Sequence, residues 1–251
     1  MARRHDIDRV LQEWAYEPGE ISARLVRAAD GREVLQMRVE MGLLQLETQG
    51  RPDGQRPSGA TTYYEHLETL AAEAGDEFQL SPEQCAEADR EFMQFYHRRV
   101  CWLALREFRR AATDAEHTLA FMDFVRDHSP DEEWTLSHEQ YRPFVLFHSS
   151  QAVALATLEE VGPEAALQEI NKGLQRFRDL FAQYEAEEQY EDDELVQRLI
   201  ELRDTLREQY DLKPSLSEQL ADAVATEQYE LAAKLRDELS RRTGKRRASG
   251  A

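Results

Sequence analysis

The sequence predicts a mainly α-helical protein: a small β meander near the N-terminus, a helical core, and an α-helical hairpin near the C-terminus. Three observations lead there. Strict apolar–polar alternation is confined to residues 21–46. From residue 60 onward, apolar residues recur at helical spacing behind clear helix start signals. After Pro214, two short apolar stripes face each other across a break near Thr226. The implied segments are 1–59 (a helix plus the meander), 60–212 (the helical core), 213–245 (the hairpin) and 246–251 (a basic tail). With 41% hydrophobic and 9% aromatic residues over 251 positions, the chain can bury a substantial core.

Taken in order, Ile7, Val10, Leu11 and Trp14 at i, i+3, i+4, i+7 predict a helix over residues 6–16, ended by Pro18 and Gly19. Ile21, Ala23 and Leu25 then alternate with Ser22 and Arg24, and Asp30-Gly31 is a hairpin-turn signal. Leu35, Met37, Val39 and Met41 alternate with Gln36, Arg38 and Glu40. After Gly42 the apolar parity shifts to Leu44 and Leu46, so Gly42 marks a bulge or a second tight turn, and a three-stranded meander results. Residues 51–59 form a loop by composition.

Thr62 with Glu65, and Ser81 with Gln84, are capping boxes, the second with Pro82 at the first helical position. Ser129 and Pro130 open another turn, and Gly162 with Pro163 separates two helices. Phe95, Trp102, Phe108, Ala111 and Ala115, and again Ala154, Pro163, Ala166, Ile170 and Gly173, carry aromatic and small residues at one spacing. In these two stretches the chain resembles tetratricopeptide (TPR) units, which implies paired helices; an unrelated helical bundle is the alternative. Ala111 and Ala166 are then equivalent but lie 55 positions apart. A regular array repeats every ~34 residues, so about 21 residues containing Trp134 are inserted. Arg99 and Thr118 depart from the pattern, standing where it expects small residues.

The acidic run 185–194 fits the first turn of a helix, because Leu195, Leu199, Leu202 and Leu206 follow at i, i+4, i+7, i+11. That repeat is too short for a coiled coil of its own, so the helix is expected to pack on the core, with residues 211–214 as a hinge.

Beyond the hinge, Ser215 and Glu218 form a capping box, and Leu216, Leu220, Ala223 and Val224 make one apolar stripe. Thr226 caps a second helix with Glu227 in its first turn, and Leu231, Leu235 and Leu239 share a stripe flanked by Ala232 and Ala233. Glu230 with Lys234, Asp237 with Arg241 and Glu238 with Arg242 are i, i+4 pairs. The order Leu216, Leu220, Ala223-Val224, Glu227, Tyr229-Glu230, Ala232-Ala233, Leu235-Arg236-Asp237, Leu239 resembles the UVR domain, with Gln228 departing where the family carries an acid. That domain is a helical hairpin found at the end of the excision-nuclease protein UvrB and within its companion UvrC. It also occurs in the activator of a protein-arginine kinase and in some Clp unfoldases. The resemblance implies protein docking or self-association, with Tyr229, Glu230, Ala233 and Arg236 on the docking face. The full set of expected protein-binding residues is Leu216, Leu220, Val224, Tyr229, Glu230, Ala233, Arg236 and Asp237. A lone hairpin of ~30 residues is marginal, so a partner surface is the natural cover for its apolar residues.

Fifty acids against 31 basic residues give a net charge of −19, and the five basic residues after Ser240 leave −24 on residues 1–240. A surface this negative repels phosphate backbones, so direct nucleic-acid binding is expected at most at the basic tail. Cys85 and Cys101 make no disulfide framework, no apolar run reaches the ~18 residues of a membrane span, and Met1-Ala-Arg-Arg-His-Asp lacks a signal-peptide core. A cytoplasmic setting is the expectation. Nucleotide-loop, dinucleotide-loop, nucleophile-elbow and zinc-protease motifs are all missing from the sequence. His97 and Cys101 lie one helical turn apart and would need His117 to complete a metal site; helix packing is the plainer reading. His138 and His148 flank Pro143 as loop and helix-start residues, and Glu187, Glu188, Asp192 and Asp193 lack the spacing of a calcium loop. Neither a catalytic residue, a metal nor a cofactor is therefore expected. The leading expectation is a non-catalytic adaptor or scaffold. An accessory factor of excision repair and a cryptic hydrolase are the alternatives.

Overall fold

A computed structural model describes residues 6–214, 216–225 and 228–248. The chain divides into two compact units, residues 1–202 and 203–251. This boundary falls ahead of the hinge expected at residues 211–214.

The first unit opens with α1 (Asp8–Glu13), shorter than the periodicity suggests. Ile7 only flanks it without a side-chain cap, and no residue of the helix is buried, so packing does not extend it. Trp14 has already left the helix in an extended conformation; its Nε1 donates to Ser22 Oγ at 2.7 Å.

Strands β1 (Ala23–Arg27), β2 (Glu33–Val39) and β3 (Gly42–Glu47) form an antiparallel meander in the order β1-β2-β3. Gly31, at φ +88°, occupies the left-handed conformation that the first turn requires. The second connection is a two-residue turn, since Val39 pairs directly with Gly42. Met41 therefore sits at the tip of that turn, 89% exposed, instead of continuing the apolar face. Pairing of Ala23 with Met37, Leu25 with Leu35, Leu35 with Leu46 and Met37 with Leu44 gathers these side chains on one face. That face packs on Cys101, Trp102, Ala111, Ala112 and Ala152. On β2, Arg38 is 7% exposed, and it donates to the carbonyls of Trp14 (2.8 Å), Gly42 (2.7 Å) and Val39. Its burial is thus satisfied.

Helices α2 (Tyr63–Ala74), α3 (Pro82–Ala104) and α4 (Phe108–Asp127) follow. The Ser81–Gln84 capping box forms in both directions. At Thr62 only half of it forms: Thr62 accepts from Glu65 N at 3.1 Å, but the Glu65 carboxylate accepts from Thr61 N at 2.7 Å. Asp131, one residue beyond the expected turn, caps α5 (Glu132–Glu139) by accepting from Trp134 N at 2.8 Å. Next come α6 (Arg142–Glu160), with Pro143 in its first turn, and α7 (Pro163–Gln183). His138 and His148 consequently lie within α5 and α6, not in a loop and at a helix start. A proline in the first turn costs no hydrogen bond, so Pro143 does not delay α6.

α3 pairs with α4, α6 with α7, and α4 packs on α6. Phe95, Trp102, Phe108, Ala111, Ala115, Ala154, Ala166, Ile170 and Gly173 are all buried in these helices, Pro163 opens α7, and the intervening stretch holds α5. A Cβ at Gly173 would lie 2.6 Å from the Ser150 side chain, so the approach of α6 and α7 there depends on glycine. A second cluster joins Tyr63, Leu67, Leu80, Cys85, Ala88, Phe121 and Val125, with Trp134 packed against it.

Charged residues are also buried on α3. Glu91, at 0% exposure, accepts from the amides of Tyr63 (2.6 Å) and Tyr64 (3.1 Å) at the start of α2, and from His117 Nε2 at 3.2 Å. Arg98 holds Asp114 of α4 through two bonds, Nη2 to Oδ1 at 2.7 Å and Nε to Oδ2 at 2.8 Å. Its Nη1 donates to the carbonyls of Glu47 and Gly50, tying the end of the sheet to the helices.

The acidic run lies mostly ahead of the next helix, with a short 3-10 turn at Glu187–Gln189, and α8 (Glu194–Tyr210) begins at its last residue. Asp193 stops the run from joining the helix: its carboxylate accepts from the amides of Leu195 and Val196, both at 3.0 Å. Val196 and Leu199 are fully buried. The last elements are α9 (Leu216–Ala225) and α10 (Tyr229–Ala248), the latter running past the expected end at residue 245.

Replacing Asp114 by alanine strands the Arg98 cation in the interior. Chemical denaturation of Asp114→Ala is expected to show a loss of about 3–5 kcal/mol. A loss below about 1 kcal/mol, the scale of an exposed pair, would contradict this account of the packing.

Candidate docking site on the C-terminal hairpin

The hairpin formed by α9 and α10 has a small core of its own. Ala223, Ala232 and Leu235 are 1%, 7% and 6% exposed, and Leu216 and Leu220 pack against them half-buried. Ala232 and Leu235, at i and i+3, form the buried stripe of α10, with Leu239 half-buried one turn on. Leu231 is 44% exposed, so the inward stripe is not the Leu231–Leu235–Leu239 row that the spacing suggested. The small Ala232 turns inward where α9 approaches, and Ala233 points outward.

The expected protein-binding residues therefore separate into two groups. Leu216 and Leu220 belong to the hairpin's internal packing. Val224 and Tyr229, at 52% and 67% exposure, lie outside it, as do Glu230, Ala233, Arg236 and Asp237. Tyr229, Ala233 and Arg236 fall at i, i+4, i+7, a stripe about 100° around the helix from Ala232 and Leu235 at 3.6 residues per turn. The Asp237 carboxylate pairs with Arg236 at 2.9 Å, whereas Arg241 Nε donates to the Asp237 carbonyl at 3.3 Å. The exposed stripe thus sets Tyr229 and Ala233 beside the charges of Glu230, Arg236 and Asp237. Ser215, Thr226 and Glu227, together with the side chains of Glu218, Arg242 and residues 245–247, lie outside the described residues.

Outside the hairpin, the residues weighed for metal chemistry do not come together. His117 stacks on Phe95 with ring centroids 3.9 Å apart and faces Glu91, while Cys101 sits in the apolar cluster beneath the sheet. Burial pushes the Cys101 thiol up to about 12, which keeps it protonated, and lowers His97. Among the described residues, no group of three or more His, Cys, Asp or Glu side chains is placed to hold a metal ion. None of the described helices is long and apolar enough to cross a membrane.

A family model described as the UvrB/uvrC motif matches residues 212–241, which span α9 and the first part of α10. Neither a curated protein nor a solved structure matches the chain. The UVR motif thus coincides with the hairpin that carries the small core and the exposed Tyr229.

Because the hairpin packs about its own core, a chain ending at Leu212 is expected to melt cooperatively near the temperature of the whole chain. Scanning calorimetry of the two forms makes the comparison. A broad or strongly lowered transition in the shorter chain would contradict the hairpin's independence.

Proposed function

We propose that this protein is a non-catalytic adaptor or scaffold that docks another protein, or a second copy of itself, through the exposed face of its UVR hairpin. The observation that carries this reading is the coincidence of the motif match with Val224, Tyr229 and Leu231, exposed apolar side chains that the hairpin's own core leaves uncovered. Tyr229 is the expected anchor. An aromatic ring offers a large contact area for the loss of two side-chain torsions, and such residues dominate interface energies. Arg236 and Glu230 flank it and supply charge selectivity toward the partner. The paired helices of the first unit serve in this reading as a TPR-like scaffold, and the cytoplasm is the proposed setting.

The description of the matching model favours one second reading, an accessory role in excision repair in which the hairpin recruits the chain to a repair protein. With −24 on residues 1–240, recruitment in that case runs through protein contact, not through direct binding to DNA.

Tyr229→Ala tests the docking face. Self-association measured by analytical ultracentrifugation, or capture of a hairpin-binding partner, is expected to weaken by about 2 kcal/mol or more, with the melting temperature unchanged. A lowered melting temperature with association intact would assign Tyr229 to internal packing and overturn the proposal.

A further inference from the structure

Helices α3, α4, α5 and α6 enclose a cavity of about 550 Å³, within the range of small-molecule sites. Phe92, Tyr96 and Phe144 contribute aromatic walls, and Met93 and Tyr141 line it with side chains more than half exposed, marking its mouth. Arg99, 2% exposed, lies deep in this lining.

Among the described residues, the guanidinium of Arg99 hydrogen-bonds only to neutral groups. Nη1 donates to Thr118 Oγ1 at 3.0 Å and Nε to His148 Nδ1 at 3.3 Å. Burial, reinforced by the positive charges of Arg99 and Arg198, holds His148 down at about 3, so its ring is neutral. Burial also lowers Arg99 to about 10, opposed by the charge of Asp114, and the side chain stays cationic at neutral pH. Asp114 is itself engaged by Arg98, and among the described residues no acid lines the cavity. Nη2 of Arg99 has no hydrogen bond among the described residues. A buried cation without a counter-charge is costly, and an entering anion relieves that cost.

We infer that this cavity binds a small apolar monocarboxylate, whose carboxylate accepts from Arg99 Nη2 while its ring or alkyl body lies among Phe92, Tyr96 and Phe144. One cation matches one negative charge; a phosphate dianion would bring two to the same site. The site is separate from the docking hairpin and does not rest on the proposed adaptor function.

Octanoate and 3-phenylpropionate, titrated by calorimetry into the whole chain beside their primary amides, test the inference. Both acids are expected to saturate, with affinity about tenfold or more above the amides, and Arg99→Met is expected to abolish that preference. In the unaltered protein carrying ¹³C-methyl methionine, the signals of Met93 and Met122, which line the cavity, are expected to shift with the acids. Those of Met37 and Met41, in and beside the sheet, are expected to stay in place. The methyl readout decides the matter even if Arg99→Met fails to fold. No saturation, equal affinity for acid and amide, a preference that survives in folded Arg99→Met, or shifts confined to Met37 and Met41 would overturn the assignment.

Discussion

Helix α3 carries three charged side chains into the interior, and the first unit is assembled around what they require. Glu91 accepts the amides that begin α2, which acts as a cap supplied from a distant part of the chain. Arg98 joins Asp114 of α4 to the carbonyls of Glu47 and Gly50 at the end of β3. Arg99 reaches Thr118 of α4 and His148 of α6. An uncompensated buried charge costs several kcal/mol, so the elements supplying these partners are fixed against α3 more tightly than apolar contact alone would fix them. The meander can lay its one apolar face on Trp102 and Ala111 because Arg98 holds the chain where it leaves the sheet.

The hairpin is built on the opposite principle. Its core rests on Ala223, Ala232 and Leu235 with two half-buried leucines, and the described acidic and basic side chains of α10 are mostly exposed. Among the described residues, Tyr229, Val224 and Leu231 remain outside that core. In the first unit, buried polar groups specify one arrangement. In the hairpin, exposed apolar groups leave binding free energy unused, which is the physical basis of the proposed docking role.

Much of the fold was legible in the sequence because local signals and tertiary packing agree. The alternation in residues 21–46 gave the meander its strands and its apolar face, and Ser81, Gly162 and Pro163 marked helix ends that the structure keeps. At Met41 the period-two alternation runs on into a two-residue turn without any change in pattern, so the sequence does not mark where the strand stops. The acidic run was placed in α8 because acids suit a first helical turn, whereas Asp193 capped the helix and left the run outside. On the hairpin, Ala232 and Leu231 exchanged their expected roles; a stripe of leucines outweighs an alanine in any pattern, yet close helix approach selects the small side chain. Arg99 and Thr118 looked like flaws in a TPR-like pattern. Only the packing of α3 against α4 and α6 shows that they bond to each other beside His148, a relation between positions too far apart in the chain for periodicity to reveal.

Stability and the proposed docking surface then belong to different units of the chain. Native-state hydrogen exchange tests this separation most directly, because it assigns an opening free energy to each segment. Peptides from α3, α4 and α6 are expected to exchange only through global unfolding of their unit, while peptides from α9 and α10 exchange through a separate opening of lower free energy. If the hairpin peptides show the same opening free energy and denaturant dependence as those of α3, the two units form one cooperative structure and the account is wrong.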